Sequence, residues 1–60
     1  MLKFKKDKLI NGLWTTENGV YVIEKDTEFN KYYLYVNGTQ YAEAKILKTV
    51  KKYAEEHYNK

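Results

Sequence analysis

The 60-residue chain contains no cysteine, proline, arginine or serine. Without cysteine, neither a disulfide nor a cysteine-ligated zinc can supplement the core, and the composition suits a reducing compartment. The absence of serine and cysteine removes the commonest catalytic nucleophiles. The absence of arginine removes the side chain best suited to bidentate recognition of phosphate or carboxylate. We therefore predict that the chain is not an enzyme and holds no cofactor or metal.

Long hydrophobic runs are also missing. No apolar stretch approaches the ~20 residues that a membrane-spanning helix needs, and the lysine-rich start lacks the apolar segment of a signal peptide. We therefore expect a cytoplasmic protein with no membrane partner. With 43% hydrophobic and 32% charged residues, the chain has a globular composition. Its length predicts one domain, residues 1–60, with a small core.

Asn-Gly pairs divide the chain at three places, residues 11–12, 18–19 and 37–38. This dipeptide is typical of two-residue hairpin turns, because both central positions need positive φ. Segments rich in β-branched and aromatic residues flank the pairs, at 12–16, 19–25, 31–36 and 39–44. They predict a three- or four-stranded antiparallel meander within residues 12–44. The basic segment 1–10 either adds an edge strand or frays.

A two-residue turn at 37–38 predicts the pairing of the last two strands. The expected pairs are Val36 with Thr39, Leu34 with Tyr41, Tyr32 with Glu43, Tyr35 with Gln40, and Tyr33 with Ala42. Register alone leaves open which face meets the helix. Either Tyr33 and Tyr35 lie beneath it, or the core contains Leu34, Val36, Val20 and Val22 and leaves Tyr21, Tyr33 and Tyr35 outside.

The last quarter of the chain has a helical period. At 100° per residue one arc collects the apolar side chains, namely Ile46, Leu47, Val50, Tyr53, Ala54, His57 and Tyr58. An earlier start would put Glu43 in this arc, so we predict a helix over 45–58 that begins near Lys45 or Ile46. The fold class is therefore α+β, a meander packed by one C-terminal helix.

Few side chains could carry chemistry. His57 is the only histidine, and its place on the apolar arc favours a partly buried, hydrogen-bonded role over catalysis. Asp26 and Glu28 share a surface loop, where solvent keeps both carboxylates from becoming an acid–base pair.

Charge is segregated along the chain, whose net charge is +3. Residues 1–10 have four Lys against one Asp, residues 11–44 have two Lys against five acids, and residues 45–60 have five Lys against two Glu. The strands are thus acidic and carry most of the tyrosines, which favour protein interfaces. We predict a protein partner bound through Tyr21, Tyr33, Tyr35 and Tyr41. The alternative is nucleic-acid binding, in which the sheet tyrosines act together with Lys3, Lys5, Lys6, Lys45, Lys48 and Lys52.

Residues 19–56 include "GVYVIEK" and "KYYLYVNGTQYAEAKILKTVKKYAEE". Their order of strands, Asn-Gly turn and helix resembles the DNA-binding domains of phage integrase arm-binding and plant ethylene-response-factor proteins. The resemblance implies a sheet that enters the major groove, with Tyr33, Tyr35 and Tyr41 at contact positions. The families' DNA-reading arginines have no counterpart, and Ile46 occupies the position of their helix-capping threonine. The composition is also similar to that of small phage proteins. We therefore expect a phage or mobile-element accessory or inhibitory factor.

Overall fold

A computed structural model describes residues 2–60. It contains five strands and one helix: β1 Phe4–Lys6, β2 Leu13–Thr16, β3 Tyr21–Asp26, β4 Lys31–Val36, β5 Thr39–Ala44 and α1 Leu47–Tyr58. The strands form one antiparallel sheet in chain order. The predicted α+β meander with a C-terminal helix is confirmed, with five strands instead of three or four. The additional strand is β1, whose Phe4 lies opposite Thr16 and whose Lys6 lies opposite Trp14.

The hairpin between β4 and β5 turns at Asn37 and Gly38, as predicted. Both have positive φ, 53° and 82°, as a turn that matches the twist of the strands requires.

Beyond the first two pairs of this hairpin, the predicted register is wrong. Leu34 lies opposite Ala42 and Tyr33 lies opposite Glu43, because a β-bulge leaves Tyr41 without an opposite residue. An extra residue in one strand changes which side chains share a face. Glu43 therefore shares a face with Tyr33 and not with Tyr32.

The face of the sheet that meets α1, here called the inner face, holds the core. Its buried residues Tyr21, Ile23 and Leu34 pack with Val50 and Ala54 of the helix. This agrees with the second packing alternative for Leu34. That alternative was wrong for Tyr21, which is buried, and for Val22, which lies opposite Tyr35 on the other side of the sheet.

Helix α1 begins at Leu47, slightly later than predicted. Ile46 is its N-cap, with extended backbone dihedrals and no capping side-chain hydrogen bond. Without a side-chain cap, the start is set by packing of the apolar arc, in which Val50 and Ala54 are fully buried. Within residues 2–60, no helix is long and apolar enough to cross a membrane.

Candidate interaction surface

The sheet face opposite α1, here called the outer face, is open. The only helix within residues 2–60 packs on the inner side of β4 and β5. Strand pairing places two rows of side chains across the outer face, Thr15–Val22–Tyr35–Gln40 and Leu13–Glu24–Tyr33–Glu43. Lys5 extends the first row, and Asp26 lies opposite Lys31 at one end.

Two tyrosines occupy the middle of the outer face. Tyr33 and Tyr35 are two residues apart on β4, so their side chains project to the same side. Both are half-buried. Tyr35 lies next to Val22, and Leu13 lies in the neighbouring row with Tyr33. The sequence thus forms an aromatic and aliphatic patch that the helix does not cover.

A hydrogen-bond network orders one end of this patch. The Tyr33 hydroxyl donates to Asp26 Oδ2 at 3.1 Å, and Lys31 Nζ donates to Glu43 Oε2 at 2.9 Å. The backbone N–H groups of Glu28 and Phe29 donate to Asp26 Oδ1 at 2.9 and 3.2 Å. The cross-strand bond to Asp26 orients the Tyr33 side chain, and the two loop N–H groups hold the Asp26 carboxylate in place.

The network also shifts the proton equilibria of its members. The Phe29 N–H is the main cause of a lowered pKa of Asp26, and the Tyr33 hydroxyl lowers it further. Desolvation raises the pKa of Tyr33, and the bond to Asp26 adds to this rise. The Glu43 carboxylate raises the pKa of Lys31. At neutral pH the outer face therefore presents a neutral phenol beside a charged Asp26.

The overall charge of the outer face is slightly negative. Lys5 and Lys31 stand against three carboxylates, those of Glu24, Asp26 and Glu43. Two positive and three negative groups give a net charge of −1. The lysines of the chain lie mostly outside this face.

The structure separates the four predicted tyrosines. Tyr21 is only 5% exposed, and its hydroxyl lies 2.8 Å from His57 Nδ1, so it is a core residue and not a surface contact. The ring of Tyr41 packs on the His57 ring at 4.8 Å, which places it beside the helix. Only Tyr33 and Tyr35 share the outer face.

Sequence reasoning missed the neighbours of these tyrosines. Val22 and Leu13 join the patch because strand pairing places them in its two rows. The period-two alternation of β3 was the available signal, since it puts Val22 and Glu24 on one side and Tyr21 and Ile23 on the other.

The six lysines proposed for nucleic acid lie in two separate places. Lys3, Lys5 and Lys6 are exposed at or next to β1, at one edge of the sheet. The other three, Lys45, Lys48 and Lys52, are exposed on or just before α1, which packs over β4 and β5 at the opposite edge. Two sheet strands separate β1 from β4, but the N-terminal segment reaches α1, because the backbone N–H of Leu2 donates to Glu55 Oε2 at 3.0 Å.

Within residues 2–60, the histidine and the carboxylates form no metal-binding group, because no three of these side chains cluster closely enough to hold a metal ion. His57 is half-buried against Tyr21 and Tyr41. Comparison of the chain with protein-family models, curated proteins and solved structures finds no match. The geometry of the outer face is therefore the basis for assigning a role.

Proposed function

We propose that this chain is a small non-enzymatic binding protein that recognises another protein through the outer face. The observation that supports this is the pair Tyr33 and Tyr35, side by side on a sheet face without a covering helix. Tyrosine provides a large, rigid contact area with a polar tip at a low entropic cost. The protein acts by covering its partner's surface, as an accessory or inhibitory factor does.

The dimensions of the outer face indicate a modest affinity. Five strands spaced ~4.8 Å apart span roughly 20 Å across the sheet, and the three longest, with six residues each, are roughly 20 Å long. A typical stable interface takes about 800 Å² from each partner, more than this patch supplies alone. We therefore expect a transient complex, unless residues around the rim of the face also contribute.

The charge of the outer face limits the type of partner. Glu24 is exposed, and the face has a net charge of −1. Complementary potentials favour a partner surface with lysine or arginine around an apolar centre. Nucleic acid would instead have to bind the two lysine groups and would not use the outer face.

Affinity capture from a host lysate treated with nuclease tests the proposal. Tagged wild-type protein is compared with a double variant, Tyr33→Thr with Tyr35→Thr, and with the matched control Tyr41→Thr, which changes a tyrosine beside the helix. Threonine keeps a strand-forming side chain while removing the ring. We expect the same captured protein with the wild type and the control, and its loss with the double variant. Capture that requires intact nucleic acid and falls steeply with salt would instead favour the DNA-binding alternative.

A further inference from the structure

One end of the sheet displays exposed apolar side chains. The β1–β2 loop, the β3–β4 loop and the β5–α1 junction all lie at this end, here called the loop end. Its apolar residues are Leu9, Ile10, Phe29 and Ile46, with exposures of 96, 56, 64 and 62%. Strand spacing places the three segments in a row roughly 20 Å long. Apolar side chains concentrated at one end indicate a docking surface.

In two of these segments an aspartate side chain accepts hydrogen bonds from backbone N–H groups two or three residues later. Asp7 Oδ1 accepts the backbone N–H groups of Leu9 and Ile10, both at 2.8 Å. Asp26 Oδ1 likewise accepts the N–H of Phe29. The apolar side chains are thus displayed on ordered turns, which lowers the entropy lost on docking.

Lysines surround the apolar row. Lys8 precedes Leu9, and Lys45 precedes Ile46. The charged groups at and next to the loop end are six lysines and five carboxylates: Lys6, Lys8, Lys25, Lys31, Lys45, Lys48, Asp7, Glu24, Asp26, Glu28 and Glu43. Six minus five gives a net charge of +1. The Lys31–Glu43 ion pair removes one charge of each sign and leaves this balance unchanged.

We propose that the loop end docks on the surface of an anionic lipid membrane. Leu9, Ile10, Phe29 and Ile46 enter the boundary between headgroups and acyl chains, while the lysines contact lipid phosphates. This proposal departs from the expectation of no membrane partner, which was based on the lack of a membrane-spanning run and of a signal segment. Surface docking needs neither of them.

The shape of the loop end favours a membrane over a protein. The exposed apolar side chains come from three separate segments, the β1–β2 loop, the β3–β4 loop and the β5–α1 junction. A rigid protein would need pockets at matching spacings, whereas a fluid bilayer accommodates each projection independently. The loop end shares Asp26, Lys31 and Glu43 with the border of the outer face but does not include Tyr33 or Tyr35. This proposal is argued from the loop residues and does not depend on the proposed function.

Flotation with lipid vesicles tests the proposal. Wild-type protein is mixed with vesicles of phosphatidylcholine alone, or with phosphatidylserine added at about three parts in ten to give an anionic surface. We expect flotation with the anionic vesicles. The double variant Leu9→Ser with Phe29→Ser should reduce partitioning at least about tenfold, because it removes two large apolar groups from the docking surface. Its control is Tyr58→Ser, which changes an exposed aromatic residue at the opposite end of the molecule.

A second pair of variants separates charge from apolar contact. Lys8→Gln with Lys45→Gln should weaken flotation and flatten its salt dependence, whereas Lys3→Gln with Lys60→Gln, at the opposite end, should change neither. Circular dichroism confirms that each variant folds. Failure of the wild type to float with anionic vesicles would overturn the proposal and make a protein the better occupant. Unchanged flotation of the folded Leu9/Phe29 variant would also overturn it.

Discussion

Tyr21 illustrates how a single side chain can be misassigned from sequence. Tyrosine is common in protein interfaces, but this one is buried between the sheet and α1. Its hydroxyl lies 2.8 Å from His57 Nδ1. The two rings also meet edge to face, with centroids 5.6 Å apart. The phenol therefore gives the core a hydrogen bond between β3 and the last turn of the helix.

We expect Tyr21→Phe to lower the free energy of unfolding by about 1 kcal/mol, the net contribution of one partly buried hydrogen bond. Urea denaturation of the wild type, Tyr21→Phe, His57→Phe and the double variant measures the coupling between the two residues. Additive effects, within about 0.3 kcal/mol, would show that the bond does not contribute to stability.

We expect the Asp26 carboxylate to make the stability of the protein depend on pH in the acidic range. Its pKa in the folded protein lies below the ordinary value of 3.8, chiefly because the Phe29 N–H donates a hydrogen bond to the carboxylate. A lowered folded pKa means that its contribution is fully present above the unfolded pKa and is lost as pH falls through the folded value. We expect the melting temperature of Asp26→Asn to fall less than that of the wild type as pH drops below about 4. If the melting temperatures of the two proteins fell equally over this pH range, the Asp26 carboxylate would not be stabilised in the fold as described.

At the scale of the element, α1 depends on tertiary packing. It has no side-chain cap and no acidic residue in its first turn, so local signals contribute little. Val50 and Ala54, both fully buried against the sheet, supply the missing stabilisation.

Val50→Asp should therefore unfold the protein. A domain of this size has a stability of roughly 3–9 kcal/mol, and burial of an unpaired carboxylate costs a large part of it. Thermal melting followed by circular dichroism is the measurement, with Lys51→Asp as the control at the adjacent exposed position. A cooperative melt of Val50→Asp near that of the wild type would mean that α1 does not pack as described.

The strands show which structural features can be predicted from the sequence and which cannot. The period of α1 and the Asn37–Gly38 turn are local signals, and both predict the correct elements. The bulge at Tyr41 has no signal in the turn, and the ring of this residue packs on His57, which is distant in the sequence. Since one extra residue changes which side chains share a face, the composition of the outer face could not be read from the turn alone.

At the scale of the whole molecule, three surfaces differ in the side chains that they present. The inner face uses its apolar residues for the core, the outer face presents Tyr33 and Tyr35, and the loop end presents Leu9, Phe29 and Ile46. Sequence reasoning identified the tyrosine-bearing strands but not the loop end. The three segments lie at one end of the molecule only because β1 pairs antiparallel with β2, which places the β1–β2 loop beside the other two. The sequence left open whether residues 1–10 form a strand at all.

The most direct test of the proposed function is the affinity of the captured protein for two variants, measured by calorimetry at low and high salt. One variant is Tyr33→Thr with Tyr35→Thr, and the other is Lys48→Ala with Lys52→Ala. Tyrosines near an interface centre commonly contribute about 1–2 kcal/mol each, so the first should lose at least about tenfold in affinity. Exposed lysines contribute little, so the second should stay within about threefold of the wild type. A folded tyrosine variant that binds normally, together with a lysine variant that loses affinity and has a shallower salt slope, would contradict the account.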